Sequence, residues 1–165
     1  MEHQIYLLLG GNLGNRMRNI QAAIQAISHH IGQVKAVSKV YETAAWGIPN
    51  QPAYLNQALQ VSSMLPPNEL LYAINKIEDD LGRERHERWQ ARIIDIDILY
   101  YSDHVIEGQR LTLPHPHLHH RKFALIPLVD IAPEFVHPIL EKNNQELLDL
   151  CEDELQVSVY RKAQL

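Results

Sequence analysis

The sequence predicts an α+β fold, helices packed on an antiparallel sheet, and three observations carry that expectation. Apolar residues recur at helical spacing in two stretches, from Ile20 to Ile31 and from Leu70 to Leu81. Around them run short segments rich in Val, Ile, Leu and Tyr that suit a pleated surface. Gly or Pro stands at most junctions between the two kinds of segment.

Taken in order, residues 4–9 (QIYLLL) read as a strand ending in a turn at Gly10-Gly11. From Arg16 to Ile31 the residues Ile20, Ile24, Ile27 and Ile31 share one helical face, and Gly32 reads as the stop. Val34–Tyr41 reads as a strand. The stretch TAAWGIPNQP, residues 43–52, holds Gly, Asn and two prolines and reads as a loop. Tyr54–Met64 is a second strand, antiparallel to the last. Pro66-Pro67 opens a helix whose stripe is Leu70, Leu71, Ile74, Ile77 and Leu81, with Gly82 at its end. An arginine-rich loop leads to a strand at 93–101.

That order, β-α-β-β-α-β, is the ferredoxin-like split βαβ arrangement, with helices on one face of the sheet. A C-terminal extension adds an edge hairpin through Val105–Leu113 and a Pro- and His-rich loop. It continues with an apolar segment around Phe123–Ile131 and a helix near Gln145–Cys151. At 165 residues, without repeats or a linker, the chain reads as one domain over 1–165. The fold alone names no function.

Composition narrows the classes. No apolar run reaches the ~20 residues of a membrane span, and the start lacks the basic region of a secretory leader. The single cysteine, Cys151, cannot form an internal disulfide; on an apolar helix face it reads as packing in a reducing cytoplasm. The formal charge of −5 argues against a nucleic-acid backbone as partner. A local exception is RERHERWQAR, residues 83–92, with four arginines against two glutamates. Taken alone it is a solvated charged loop; in an acidic protein it also suits a small anionic ligand.

Within ARIIDIDILYY, residues 91–101, Asp95 and Asp97 interrupt a run that otherwise reads as buried. Burying an ionised carboxylate costs several kcal/mol unless something pairs with it. Residues i and i+2 of a strand share a face, roughly 6.6 Å apart. The aspartates therefore share one face while Ile94, Ile96 and Ile98 enter the core. Such a pair is either solvent-facing, neutralised by nearby arginines, or a holder of Mg²⁺, which takes one or two carboxylates, waters and phosphate oxygens. The arginines upstream favour the metal–phosphate reading, since Mg²⁺ and guanidinium groups together hold a polyphosphate.

Other motifs are weaker. GGNLGN, residues 10–15, matches neither phosphate-loop pattern and reads as a structural turn. LPHPHLHHRKF, residues 113–123, holds His115, His117, His119 and His120 but lacks the partners of a strong zinc motif. His115 with Arg121 could donate to phosphate oxygens. Tyr54 and Phe123 are either core aromatics or two walls of a slot for a flat ring.

Four blocks in order resemble the 6-hydroxymethyl-7,8-dihydropterin pyrophosphokinases. They are LLLGGNLGN, YETAAWGIPNQPAYLNQAL, LGRERHERWQARIIDIDILYY and LTLPHPHLHHRKFALIPLVDIAPE, spanning Leu7 to Glu134. The most specific is Arg92, two spacers, then Asp95-Ile96-Asp97 with apolar followers. The chain departs from the family at Gln90, where Gly or Ala is usual, in a shorter run between Arg85 and Trp89, and at Ala44-Ala45, where prolines are common.

The resemblance implies the ferredoxin-like fold and transfer of pyrophosphate from ATP to a pterin alcohol. It implies two Mg²⁺ ions on Asp95 and Asp97, and a pterin between Tyr54 and Phe123. The ring edge would be read by Thr43, Ala45, Trp46 and Asn56, with Asp95 touching the attacking hydroxyl. ATP would contact Asn75, Glu78, Arg85, Trp89, Ile98, Arg110, Thr112, His115 and Arg121. Arg83 and Arg92 would close over the phosphates as catalytic groups. Expected partners are these small molecules alone, with no nucleic acid and no membrane, for a cytoplasmic monomer. Two alternatives are another D-x-D transferase of nucleotidyl or sugar groups, and a ferredoxin-like binding module.

Overall fold

The computed structural model describes residues 1–44, 52–82 and 93–161. Strand β1 (His3–Gly11) leads through a turn at Gly14 into helix α1 (Arg16–His30). Gly14 has φ 66°, which suits glycine, and the Asn15 side chain caps α1 by accepting from Arg18 N. Then come β2 (Gly32–Val37), β3 (Tyr41–Thr43) and β4 (Tyr54–Ser63). Helix α2 (Pro67–Leu81) has proline in its first turn, and the Gly82 N–H closes it by donating to Glu78 O. Strand β5 (Asp95–Tyr101) precedes a small hairpin, β6 (Ile106–Glu107) with β7 (Thr112–Leu113). Helices α3 (Lys122–Ile131) and α4 (Asn144–Leu150) follow, then β8 (Val157–Val159).

All pairings are antiparallel. The sheet runs β5-β1-β4-β3-β8, and β2 pairs with the other end of the β4 edge that β3 uses. One face carries Ile5, Leu7, Leu9, Leu55, Leu59, Ile96 and Ile98 against Ile20 and Ile27 of α1 and Leu70, Ile74 and Ile77 of α2. Each such side chain contributes about 1.5–3 kcal/mol when fully buried.

Helices cover both faces, a departure from the one-sided packing expected. The second face carries Tyr6, Leu8, Ala58, Leu99 and Tyr100, too apolar to leave in water, and α3 and α4 bury it through Ala124, Leu125, Leu128 and Leu147. A bulge adds to this face: Tyr6 pairs with Tyr100 and Leu7 with Ile98, so Leu99 is the extra residue. The Tyr100 hydroxyl donates to Asn144 Oδ1 at 2.8 Å, and Asn144 Nδ2 donates to Ala132 O at 2.8 Å. Those bonds satisfy the polar groups that fix α4 to β5.

Other corrections are local. The strand expected over 34–41 divides at Ser38, which bonds Ala58 through both its backbone N–H and its hydroxyl oxygen. Lys39 N turns instead to Asp130 of α3. Gly32 opens β2 rather than stopping α1, and Gly10 and Gly11 lie inside β1 rather than in a turn. The β6–β7 hairpin forms its own two-stranded sheet instead of an edge of the main one. β8 had no sequence signal. Among the described residues no helix is long and apolar enough to cross a membrane.

Candidate active site

Strand register builds the site. One row crosses four strands, with Tyr41 of β3, Asn56 of β4, Gly10 of β1 and Asp95 of β5. On one side of it Thr43 pairs with Tyr54; on the other, Ala58, Leu8 and Asp97 form the next row on the same face. That face is the one covered farther along by α3 and α4. Where the cover ends, a pocket of about 300 Å³ opens over Thr43, Tyr54, Asn56, Gly10, Asp95 and Asp97. Arg121 and Phe123, at the start of α3, wall it, and Leu8, Ala44 and Leu155 complete the lining.

Gly10 is glycine because of its neighbour. A Cβ there would lie 2.3 Å from Asn56 Nδ2, inside contact distance. Asn56 is 9 % exposed and donates Nδ2 to Leu9 O at 3.3 Å, which holds its amide at the pocket floor. Thr43 is 4 % exposed, and its hydroxyl has no hydrogen-bond partner among the described residues. A buried hydroxyl in a pocket wall keeps its hydrogen-bonding capacity for whatever enters the pocket, water or ligand.

The two aspartates sit half-buried on β5, and both line the pocket together with Arg121. Their strand is held from outside: Glu78 Oε2 of α2 accepts from Ile96 N at 3.0 Å, between the two carboxylates. The Arg121 guanidinium lies 5.5 Å from the Phe123 ring centroid, so the cation rests against the aromatic wall.

His115 is half-buried, and its backbone N–H donates to Leu99 O. Burial, then the Arg121 charge and His117, lower its pKa to about 4, so it is neutral at pH 7. Its Nδ1 accepts from His117 N at 3.2 Å, which leaves the proton on Nε2 as a donor.

The other histidines part company. His119 packs against His120, with centroids 3.8 Å apart and ring planes tilted by 44°. No group of three or more His, Cys, Asp or Glu among the described residues is arranged to hold a metal ion.

A second groove, about 600 Å³, lies between α2 and the β6–β7 hairpin and brings Asn75 together with Arg110. Thr112 is exposed on β7 and donates its hydroxyl to Gly108 O. The Ile98 side chain points to the opposite face, buried in the α1–α2 core. Ala45, Trp46, Arg83, Arg85, Trp89 and Arg92 lie outside the described residues.

Residues 6–133 match the family described as 7,8-dihydro-6-hydroxymethylpterin-pyrophosphokinase, or HPPK. The chain belongs to the HPPK family. It is 42 % identical over 142 residues to the 2-amino-4-hydroxy-6-hydroxymethyldihydropteridine pyrophosphokinase of Aquifex aeolicus, covering 86 % of this chain and 88 % of that protein. The like-named Haemophilus influenzae protein is 36 % identical over 146 residues, covering 88 % and 89 %. In fold it is similar to a solved Plasmodium falciparum HPPK-DHPS, with TM-score 0.77 at 18 % identity. This chain is covered over 90 % of its length and spans 45 % of that longer one.

In this HPPK chain the sheet and the start of α3 bring Thr43, Tyr54, Asn56, Asp95, Asp97, Arg121 and Phe123 into one pocket. Sequence reasoning missed Leu8, Gly10, Ala44 and Leu155. Gly10 carried a signal, because a glycine inside a strand often marks a close approach. Leu155 carried none, since it lies in the segment leading into the unanticipated β8.

Proposed function

We infer that the protein transfers pyrophosphate from ATP to 6-hydroxymethyl-7,8-dihydropterin, giving the pterin diphosphate and AMP, a step of folate biosynthesis. One observation carries the reading: Asp95 and Asp97 line the same pocket as Tyr54, Asn56 and Phe123. A flat ring and a polyphosphate thereby meet on one surface.

Tyr54 and Phe123 would stack the pterin, and Asn56 and Thr43, with Ala45 and Trp46, would read its polar edge. The two carboxylates are hard oxygen donors on one face, and Mg²⁺ commonly takes so few protein ligands, filling its sphere with waters and phosphate oxygens. The donor set therefore fits a pair of Mg²⁺ ions. When bound, Mg²⁺ would offset charge on the phosphate oxygens and the leaving group.

The chain's own part is positioning and charge. The pterin hydroxymethyl oxygen attacks the β-phosphorus of ATP, and the bond from that phosphorus to the oxygen of the α-phosphate breaks, releasing AMP. Asp95 would contact the attacking hydroxyl. Arg121, His115 through its Nε2–H, and Arg110 would donate to phosphate oxygens, with Arg83, Arg85 and Arg92 beside them. Asn75, Glu78, Ile98, Thr112 and Trp89 would complete the nucleotide contacts, Ile98 through its backbone because its side chain is in the core.

The order β5-β1-β4, with β2 and β3 sharing the far edge of β4, supports a ferredoxin-like sheet with β8 as a C-terminal addition. One sheet shared by both cores supports a single pyrophosphokinase domain over 1–165. The lone Cys151 suits the cytoplasm, and the monomer is part of this reading.

The test is AMP formation from ATP and Mg²⁺ with and without 6-hydroxymethyl-7,8-dihydropterin. AMP should appear only with the pterin. Pterin-independent release, or nucleotide binding indifferent to Mg²⁺ without turnover, would favour another transferase or a binding module.

A further inference from the structure

The family match ends at residue 133, yet the pocket does not. Leu155, in the segment between α4 and β8, is part of its lining. The segment is anchored at both ends. Val157 of β8 pairs with Thr43, itself a pocket residue, and Tyr160 N donates to Val40 O. The ring of Tyr160 receives the Arg16 guanidinium at 5.4 Å from its centroid.

Asp153 supplies the link. Its Oδ2 accepts from the backbone N–H of Lys122 at 3.1 Å, and its Oδ1 accepts from Leu155 N at 3.0 Å. Lys122 stands between Arg121 and Phe123 and is the first residue of α3, a helix with no cap from its own Ncap side chain. A first-turn N–H without an internal partner needs an outside acceptor, and a carboxylate there is also favoured by the helix dipole. One carboxylate thus joins the backbone of the aromatic and cationic wall to the backbone of Leu155.

We propose that the tail segment 153–157 is a working part of the substrate pocket, with Leu155 setting the fit of the ring and Asp153 positioning Arg121, Phe123 and Leu155 together. The proposal rests on the pterin reading of this pocket. Leu155 is half-buried, so trimming it opens the wall without emptying a core. Asp153 touches no substrate; it acts through the backbones it holds.

The test compares Leu155→Ala, Asp153→Ala and Asp153→Asn in the full chain, measuring affinity for 6-hydroxymethyl-7,8-dihydropterin and for Mg²⁺ with a non-hydrolysable ATP analogue. Leu155→Ala should weaken pterin binding about tenfold, the scale of lost methylenes in a hydrophobic pocket, with nucleotide affinity within about twofold. Asp153→Ala should weaken pterin binding likewise and, by releasing Arg121, nucleotide binding as well, and Asp153→Asn, which keeps one acceptor oxygen, should recover part of both losses. Folded variants of both residues that bind pterin like the wild type would overturn the proposal, as would equal weakening of both ligands by Leu155→Ala. A wild type that binds no pterin would instead bring down the functional reading itself, and this inference with it.

Discussion

Glu78 Oε2 accepts a hydrogen bond from the backbone N–H of Ile96 at 3.0 Å, so helix α2 grips β5 between its two acidic residues. Strand β5 ends the sheet order, and its outward N–H groups have no strand to meet among the described residues. A bond from a charged acceptor is worth about 1.5–3 kcal/mol. Glu78→Ala should lower stability by about that amount and reduce kcat, because Asp95 and Asp97 lose a fixed backbone. Glu78→Gln, which keeps an acceptor, should retain most of the stability. Thermal melts beside steady-state rates decide this, and wild-type turnover in Glu78→Ala would contradict it.

Removing either pocket carboxylate should separate activity from folding. Asp95→Ala and Asp97→Ala are expected to lose turnover by at least about a hundredfold, the range in which charge-stabilising groups act. Both positions are half-buried, so secondary structure by circular dichroism should be unchanged. Activity near that of the wild type in either variant would end the metal–phosphate reading.

Gly10 offers a test of the pocket floor. A Cβ there would meet Asn56 Nδ2 at 2.3 Å, so Gly10→Ala forces the amide out of place. Overpacking of this kind costs about 1–3 kcal/mol. Pterin affinity should fall while nucleotide affinity holds, a contrast that titration calorimetry with each ligand reads directly.

The pH dependence of stability has a definite sign. Burial lowers the pKa of His137 from 6.5 to about 4, with His119 adding to the shift, and burial and the Arg121 charge do the same for His115. His137 is 4 % exposed, and its Nδ1 accepts from Ile139 N and Leu140 N. The unfolded chain takes up these protons first. Their contribution is therefore complete above about pH 6.5 and is lost as pH falls toward 4, at up to about 1.4 kcal/mol per pH unit for each histidine. Melting temperatures from pH 8 to pH 4 should fall on that limb. His137→Asn, which keeps an acceptor that does not titrate there, should flatten the slope, and an unaltered slope would exclude His137 as a source.

Much of this was legible beforehand because local rules and global fold agree. Period-3.6 stripes fixed α1 and α2, and alternation placed Asp95 and Asp97 together on one face of a half-buried strand. The misses share a cause, namely partners distant in sequence. Gly10 is small because of Asn56 across the sheet, and the break at Ser38 follows from its bonds to Ala58. Helices α3 and α4 bury a second face whose apolar residues Tyr6, Leu8, Ala58 and Tyr100 come from three strands and are joined by Leu99 through the bulge. The short β8 exists by pairing with β3, and three residues carry no periodicity to read.

The row through Asn56, Gly10 and Asp95 crosses three adjacent strands. Their spacing is set by backbone hydrogen bonds at about 4.8 Å per strand, so roughly 9.6 Å separates the first position from the last. A sheet hardly stretches. With the pterin edge on Asn56 and its hydroxyl at Asp95, as proposed, that pitch would gauge arm length and suit an alcohol one carbon from the ring. A homologue with one more methylene would carry its oxygen about 1.5 Å too far. Such a compound should still bind, yet react about a hundredfold more slowly.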